Sequence, residues 1–419
     1  MIVKKPNLLL LLLSIIPSGL AQGLTIIITP WYFTESLDAS ATFSFWYGIV
    51  TLIGLFWGLY AGVIIDQINR KKILLVINIL SFIICCLVGL TDLLNVQNNH
   101  LIIFIPFTFA CFYYMIFFPN LYALVQELSI QGKFGKINSI IEILSQTISI
   151  LAALICGLLL SGSDIFFDFF KINITNVPTW ELGELFLFNG FLYLLSYLIL
   201  IPMRYKKITR KRIPGLKSVI KKITTSLIFF KDKKHIFIYG ICSQIIFAFL
   251  IVELFTLLPI FVKNCLGEDL VIFSLADVSY CLGAIGAGLI TIHLLKFINK
   301  IDLTILLIIL SAYAFLIMIL FQNLTIFFIA SLIIGLTNAS VRITRMTYFF
   351  EQIPNHLIGR TNTVFNSINT IIRNILIFCF SYTWFTDETN VVFGYLIGIY
   401  LLIIFSIPIL IIQIKKLIK

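Results

Sequence analysis

The sequence predicts an all-α polytopic membrane protein with twelve transmembrane helices in two pseudo-symmetric six-helix bundles. Of the 419 residues, 60% are hydrophobic and only 12% are charged, and a soluble core cannot bury that much apolar surface. Twelve apolar runs reach about 20 residues, which is the length that a bilayer core requires. One short motif also recurs at the matching place in each half. Together these observations exclude an ordinary soluble domain.

The twelve runs are separated mostly by short polar turns. The first run has an alternative interpretation, because Lys4 and Lys5 before an apolar stretch imitate a secretory signal. We expect an uncleaved span instead, since hydrophobicity resumes at Leu24–Ile28. In order, the predicted spans are 7–31, 41–65, 73–94, 101–126, 137–161, 184–204, 236–262, 270–295, 303–322, 324–347, 360–385 and 391–414.

A basic segment divides the chain near its middle. We predict an N-terminal bundle over 1–205, a cytoplasmic linker over 206–234 and a C-terminal bundle over 235–419. In the linker, apolar residues recur at helical spacing opposite lysines. This pattern indicates an amphipathic helix lying on the anionic inner leaflet; a solvated linker helix is the alternative.

The basic residues predict the orientation of the chain. Most of the 30 lysines and arginines fall in turns that would face the cytoplasm if the amino terminus lies inside, so we expect both termini to be cytoplasmic. The net charge of +11 then reflects membrane topology. No basic surface is interleaved with aromatic residues, so we expect no nucleic-acid partner. We expect a monomeric, multi-pass protein of a bacterial inner membrane.

The turn between the second and third spans carries a recognisable motif. Gly62 and Asp66 stand at the end of the predicted second span. The cations Arg70, Lys71 and Lys72 follow. This resembles the loop between helices 2 and 3 of the major facilitator superfamily, which has the pattern Gly-x-x-x-Asp-(Arg/Lys)-x-Gly-(Arg/Lys)-(Arg/Lys). The match departs at Gln67 and at Asn69, where we expect Asn to serve the left-handed turn that Gly would make. A generic basic turn is the alternative.

A second motif is repeated in the two halves. Glu127 followed by Gly135-Lys136 aligns without a gap with Glu351 followed by Gly359-Arg360. Each copy lies between the fourth and fifth spans of its half. This placement indicates the internal duplication of a parallel-repeat transporter.

The resemblance implies a secondary transporter that works by alternating access. By this resemblance, Gly62, Asp66, Arg70 and Lys71 form a conformational lock, in which Asp66 contacts the start of span 11 near Gly359. The motif is similar to that of macrolide and siderophore exporters, so we expect export of a small organic molecule. The Arg common in span 4 and the glycine-rich pattern of span 5 are both missing. A nutrient importer of the same fold and a non-transporting receptor or scaffold are the alternatives.

Among the charged residues within predicted spans we single out four as functional candidates, because an unpaired charge inside a membrane is costly. They are Glu142, Glu253, Asp277 and Arg373. Arg373 lies roughly 24 Å from the inner end of its span. We hypothesise that it pairs with Glu253 or Asp277 and that one of these acids carries the coupling ion, a proton, with sodium as the alternative. Structural ion pairs, or span ends placed too deep, are the competing interpretation.

Other polar residues are weaker candidates for lining a cavity. They are Gln22, Asn120, Gln146, Gln244, Asn366 and Asn369. The cysteines and histidines lack metal-ligand spacing, and the chain has no phosphate loop, nucleophile motif or zinc helix. We therefore expect no enzymatic activity, no metal and no cofactor.

Overall fold

The computed structural model describes residues 5–94, 100–128, 134–169, 178–205, 229–231, 233–387 and 389–417. Twelve helices in this part of the chain are long and apolar enough to cross a membrane, and none of the described residues forms a strand. The predicted all-α, twelve-span fold is confirmed. Most of the predicted linker, with its amphipathic helix, lies outside the described residues.

Each predicted span overlaps one helix. The eleventh helix ends before the predicted residue 385, because a 3-10 turn over Thr383–Phe385 follows it. In chain order the helices are α1 (Lys5–Glu35), α2 (Ser40–Gln67), α3 (Arg70–Leu93), α4 (His100–Leu128), α5 (Phe134–Phe169), α6 (Leu182–Leu200), α7 (Lys234–Leu266), α8 (Leu270–Leu294), α9 (Lys300–Phe321), α10 (Leu324–Gln352), α11 (Asn355–Phe380) and α12 (Val391–Leu417).

The chain clusters into two compact units. Unit 1 comprises the described residues of Met1–Ser36, Ile53–Ile213 and Asp269–Leu275, and unit 2 those of Leu37–Leu52, Pro214–Glu268 and Ala276–Lys419. In unit 1, α6 packs on α3 and α1, and α1 also packs on α5 and α4. In unit 2, α9 packs on α10 and α12, and α7 packs on α11 and α12.

The start of α3 shows why Asn replaces Gly in the motif. Asn69 has an extended backbone (φ −64°, ψ 117°), and its side chain accepts hydrogen bonds from the amides of Lys71 and Lys72 at 3.0 and 3.2 Å. The expected left-handed turn at Asn69 is therefore wrong. The side-chain oxygen of an N-cap Asn satisfies free amides of the first helical turn, which Gly cannot do.

Two glycines allow the helices α8 and α10 to approach each other closely. In unit 2, a Cβ added to Gly335 on α10 would lie 2.0 Å from the carbonyl oxygen of Tyr280, and one added to Gly283 on α8 would lie 1.9 Å from that of Leu332. Small residues at a crossing let two backbones meet inside a membrane. The backbones of α8 and α10 therefore touch at these glycines.

The seventh helix is interrupted. Ser243 and Gln244 form a break between the α-helical segments Lys234–Cys242 and Ile245–Val252. Two π-helical segments follow, Glu253–Leu257 and Phe261–Leu266. Single π-helical turns are frequent at functional sites, because they change the direction of side chains along a helix.

Candidate functional site

A cavity of about 110 Å³ lies within unit 2. Its walls come from α7, α8, α9 and α10 and are mostly apolar, with a few polar groups that could orient a ligand. The lining residues are Phe247, Leu250, Ile251, Glu253, Leu254, Leu258, Ala276, Asp277, Tyr280, Met318, Ser331, Ile334 and Asn338. Two of the four charged candidates from the sequence, Glu253 and Asp277, thus share one cavity.

Glu253 lines this cavity and is the first residue of a π-helical segment. It is only 6% exposed, and its Oε1 accepts a hydrogen bond of 2.8 Å from the hydroxyl of Tyr395 on α12. Its second carboxyl oxygen has no hydrogen-bond partner among the described residues. One oxygen is therefore fixed while the other remains available to a ligand.

Asp277 projects into the cavity from α8. It makes no hydrogen bond or ion pair with any residue that the structure describes. One turn along α8, the hydroxyl of Tyr280 accepts a hydrogen bond of 2.6 Å from Asn338 Nδ2. The cavity thus holds two carboxyl groups, and neither has a cationic partner within the described chain.

Two donors close the break in α7. Arg345 Nη1 on α10 donates to the carbonyl of Ser243 at 3.0 Å, and Asn369 Nδ2 on α11 donates to that of Gln244 at 3.0 Å. All four residues are buried, and Arg345 is 8% exposed. Backbone carbonyls released by a helix break must be satisfied inside a membrane protein, and these side chains do so.

Arg373 does not pair with the cavity acids. Its Nη2 donates to Thr370 Oγ1 at 3.2 Å on its own helix, and its Nε has no partner. Among the described residues no ion pair joins it to Glu253 or Asp277. The expected pairing is absent because the guanidinium stays beside Thr370, one turn earlier on α11.

The motif cations bind within unit 1. Arg70 forms a buried ion pair of 2.7 Å with Glu127 at the end of α4, and it also donates to the carbonyl of Ala123 at 2.6 Å. Lys71 Nζ donates to the carbonyls of Ile201 and Met203, both at 2.7 Å. These partners all lie in unit 1, and the lock between this motif and span 11 stays a prediction.

The sequence model of the Major Facilitator Superfamily matches residues 11–377. The chain belongs to the major facilitator superfamily. It is therefore a transport protein rather than an enzyme. No curated protein sequence matches it.

Solved structures of other transporters share the superfamily fold. A bacterial homolog of the human lysosomal transporter Spinster has a TM-score of 0.70 at 15% identity, over 97% of this chain and 96% of that one. The nucleoside transporter NupG has a TM-score of 0.67 at 12% identity, over 98% and 99%. A bacterial homologue of the iron transporter ferroportin has a TM-score of 0.69 at 14% identity, over 96% and 98%.

Two residues that were predicted to line a cavity lie outside the cavity of unit 2. Gln22 and Asn120 are buried in unit 1, where Gln22 donates to the carbonyl of Ala110 at 3.2 Å and Asn120 donates to that of Arg70 at 2.9 Å. Both therefore tie helices together.

Three further candidate residues from the sequence are exposed or half-buried, and two residues of the motif lie at positions that the structure does not fully describe. Glu142 on α5 and Asn366 on α11 are exposed, and Gln146 is half-buried. Gly62 and Asp66 lie on α2, at positions whose surroundings fall outside what the structure describes. Among the described residues, no group of three His, Cys, Asp or Glu is placed to hold a metal ion.

Arg345, which closes the break in α7, is not among the candidates from the sequence. It falls near the inner end of the predicted span 324–347, where basic residues are expected from the orientation of the chain. Asn338, Arg342 and Arg345 follow one another at helical spacing. This polar stripe within a predicted span was the signal that could have identified it.

Proposed function

We propose that this chain is a secondary active transporter that moves a small organic molecule by alternating access and is coupled to protons. The observation that supports the proposal is the cavity in which Glu253 and Asp277 lie without a cationic partner. Carboxyl groups buried among apolar walls mark ion or substrate pathways in membrane proteins.

The two acids have unequal surroundings. An ionised carboxylate is costly to bury without a cation, and a bound proton removes that cost. Tyr395 fixes Glu253, whereas Asp277 has no partner that the structure describes. We assign Asp277 as the group that takes up and releases the proton, and Glu253 as a second acidic group that keeps the cavity attractive to cations.

Direction and conformational control follow from the motif. Asp66 followed by Arg70-Lys71-Lys72 resembles the exporter branch, which supports export. The lock formed by Gly62, Asp66, Arg70 and Lys71 stays a prediction from this motif. Cytoplasmic termini, a bacterial inner membrane and a monomeric state are proposed from the basic turns and the fold.

The experiment is proton movement in proteoliposomes. A panel of uncharged, cationic and anionic organic compounds is added to vesicles that contain a pH-sensitive dye. We expect one or more compounds to move protons with the wild type. Asp277→Asn should reduce this movement to the level of protein-free vesicles, because the proton carrier is gone.

Asp387→Asn is the matched control, since Asp387 is an exposed acid in a turn of the same unit. It should retain the wild-type response. If Asp277→Asn moves protons as well as the control, the assignment is wrong. If the response requires a sodium gradient, the coupling ion is sodium and not the proton. Uptake against a gradient by right-side-out cells, rather than extrusion, would make the chain an importer.

A further inference from the structure

We infer that Arg345 binds an oxyanion, such as a carboxylate, carried by the transported molecule. The inference rests on the proposed transport function and adds a substrate class to it. It concerns the break in α7 and the facing part of α10, away from the two acids of the cavity.

The charge of Arg345 is not neutralised by the described chain. The residue is 8% exposed, and arginine does not deprotonate in proteins. Its only hydrogen bond in the described chain goes to the neutral carbonyl of Ser243. Its Nε has no partner, and no described carboxylate lies within 4.0 Å. A buried charge without a counter-ion is strongly unfavourable, so an anion at this position would stabilise it.

The position of Arg345 connects it with the cavity. Ser331, Ile334 and Asn338 line the cavity from α10 at helical spacing. Arg345 follows Asn338 by seven residues, two turns further along the same face, or about 10 Å. The cavity-lining face of α10 therefore continues to the guanidinium.

The facing helix continues in the same way. Phe247 lines the cavity from α7, and Gln244 precedes it by one turn, at the break. Gln244 is buried as a residue, and its side-chain amide makes no hydrogen bond to a described residue. Discontinuous helices supply substrate sites in secondary transporters, because their polar groups are not all used by the backbone. Gln244 directly follows Ser243, whose carbonyl Arg345 binds, so its amide belongs to the same break as the guanidinium.

A purely structural role makes a different prediction. If Arg345 only satisfies the carbonyl of Ser243, its replacement lowers stability. In that case anions do not stabilise the wild type either. If it binds an oxyanion, the wild type must itself be stabilised by anions and not by neutral molecules of the same shape. The measurement therefore compares matched pairs of compounds.

The experiment measures thermal stability of the purified protein in neutral phosphatidylcholine nanodiscs at constant ionic strength. The probes are acetate, benzoate and salicylate, each matched with its amide, together with inorganic phosphate. We expect at least one anion to raise the Tm in a saturable way while its amide does not. Arg345→Gln should weaken the apparent affinity by roughly tenfold to a hundredfold, the range expected for hydrogen bonds to a charged group.

Two variants keep the test sharp. Arg345→Lys retains the positive charge and should fold and keep part of the anion effect, even if Arg345→Gln is unstable. Lys296→Gln removes one exposed cation from the same unit and should respond like the wild type. The thermal-stability measurements use no proton gradient. Failure of this inference can therefore be distinguished from failure of the transport proposal.

Three outcomes would overturn the inference. The first is a wild type that no anion stabilises more than its amide. The second is an anion effect that persists unchanged in Arg345→Gln. The third is stabilisation only in discs that contain phosphatidylglycerol, lost in Arg345→Gln, which would make Arg345 a lipid headgroup site.

Discussion

At the residue scale, two ion pairs stand at matching places in the two halves. Arg70 at the start of α3 pairs with Glu127 at 2.7 Å, and their side chains are 6% and 7% exposed. Lys300 at the start of α9 pairs with Glu351 at 2.8 Å, with side chains 29% and 51% exposed. The same geometry thus occurs once buried and once largely in contact with solvent.

The two pairs should contribute unequally to stability. Glu127→Gln strands the buried Arg70 charge, which costs about 3 kcal/mol or more. Glu351→Gln breaks a pair that is worth less than about 1 kcal/mol. Thermal denaturation of both variants in one detergent measures the difference. Equal losses of Tm would show that burial does not set the strength of this repeated contact.

Two of the charged candidates from the sequence lie together in the structure. Glu253 and Asp277 were predicted as functional candidates because a charge inside a span needs a reason, and the structure places both in one cavity. The partner of Arg373 could not be predicted, because span depth gives a residue's height but not the direction in which its side chain leaves the helix. In the structure, the guanidinium of Arg373 donates a hydrogen bond to Thr370 on the same helix.

At the element scale, the crossing of α8 and α10 determines the shape of the cavity. Gly335 meets the carbonyl of Tyr280, and Tyr280 and the nearby Asn338 both line the cavity. Any side chain at the crossing must push the two backbones apart. The cavity wall then moves with them.

Gly335→Ala should therefore cost about 1–3 kcal/mol, the range for overpacking a well-packed contact, and should impair transport. Gly288→Ala on α8 is the matched control, because its Cβ meets no atom within 4 Å and alanine favours a helix more than glycine does. Thermal stability and proton movement in proteoliposomes report both effects. A Gly335→Ala variant as stable and active as Gly288→Ala would contradict the close crossing.

Helix number and approximate bounds followed from hydrophobicity, because lipid demands long apolar runs whatever packs against them. The irregularities of α7 did not follow. The break at Ser243–Gln244 carries no proline or glycine, and it is closed by Arg345 and Asn369, which lie far away in sequence. A local pattern cannot reveal a distortion that distant side chains compensate.

At the scale of the whole molecule, the distribution of cations predicts one orientation. Alternating turns of a twelve-span chain face opposite sides of the membrane, and most Lys and Arg residues fall in one set. The positive-inside rule then assigns that set, and both termini, to the cytoplasm.

Reporter fusions test this orientation in bacterial cells. Green fluorescent protein fused after Lys419 should fluoresce, and alkaline phosphatase there should be inactive. Phosphatase inserted at residues 178–180, in the turn before α6, should be active, because that turn belongs to the opposite set. Active phosphatase at the carboxyl terminus would reverse the assigned topology and, with it, the assignment of the basic turns to the cytoplasm.

The contacts at one end of unit 1 have a consequence for biosynthesis. Asn7 exchanges two hydrogen bonds with Arg204, at 2.6 and 3.1 Å, and the hydroxyl of Tyr205 donates to Glu127. Residues near the beginning and near the end of this half therefore bind one another. A ribosome that has released Tyr205 has supplied every partner in this set, and none of them depends on α7–α12. These contacts can therefore form before the residues of the unit 2 cavity have been translated.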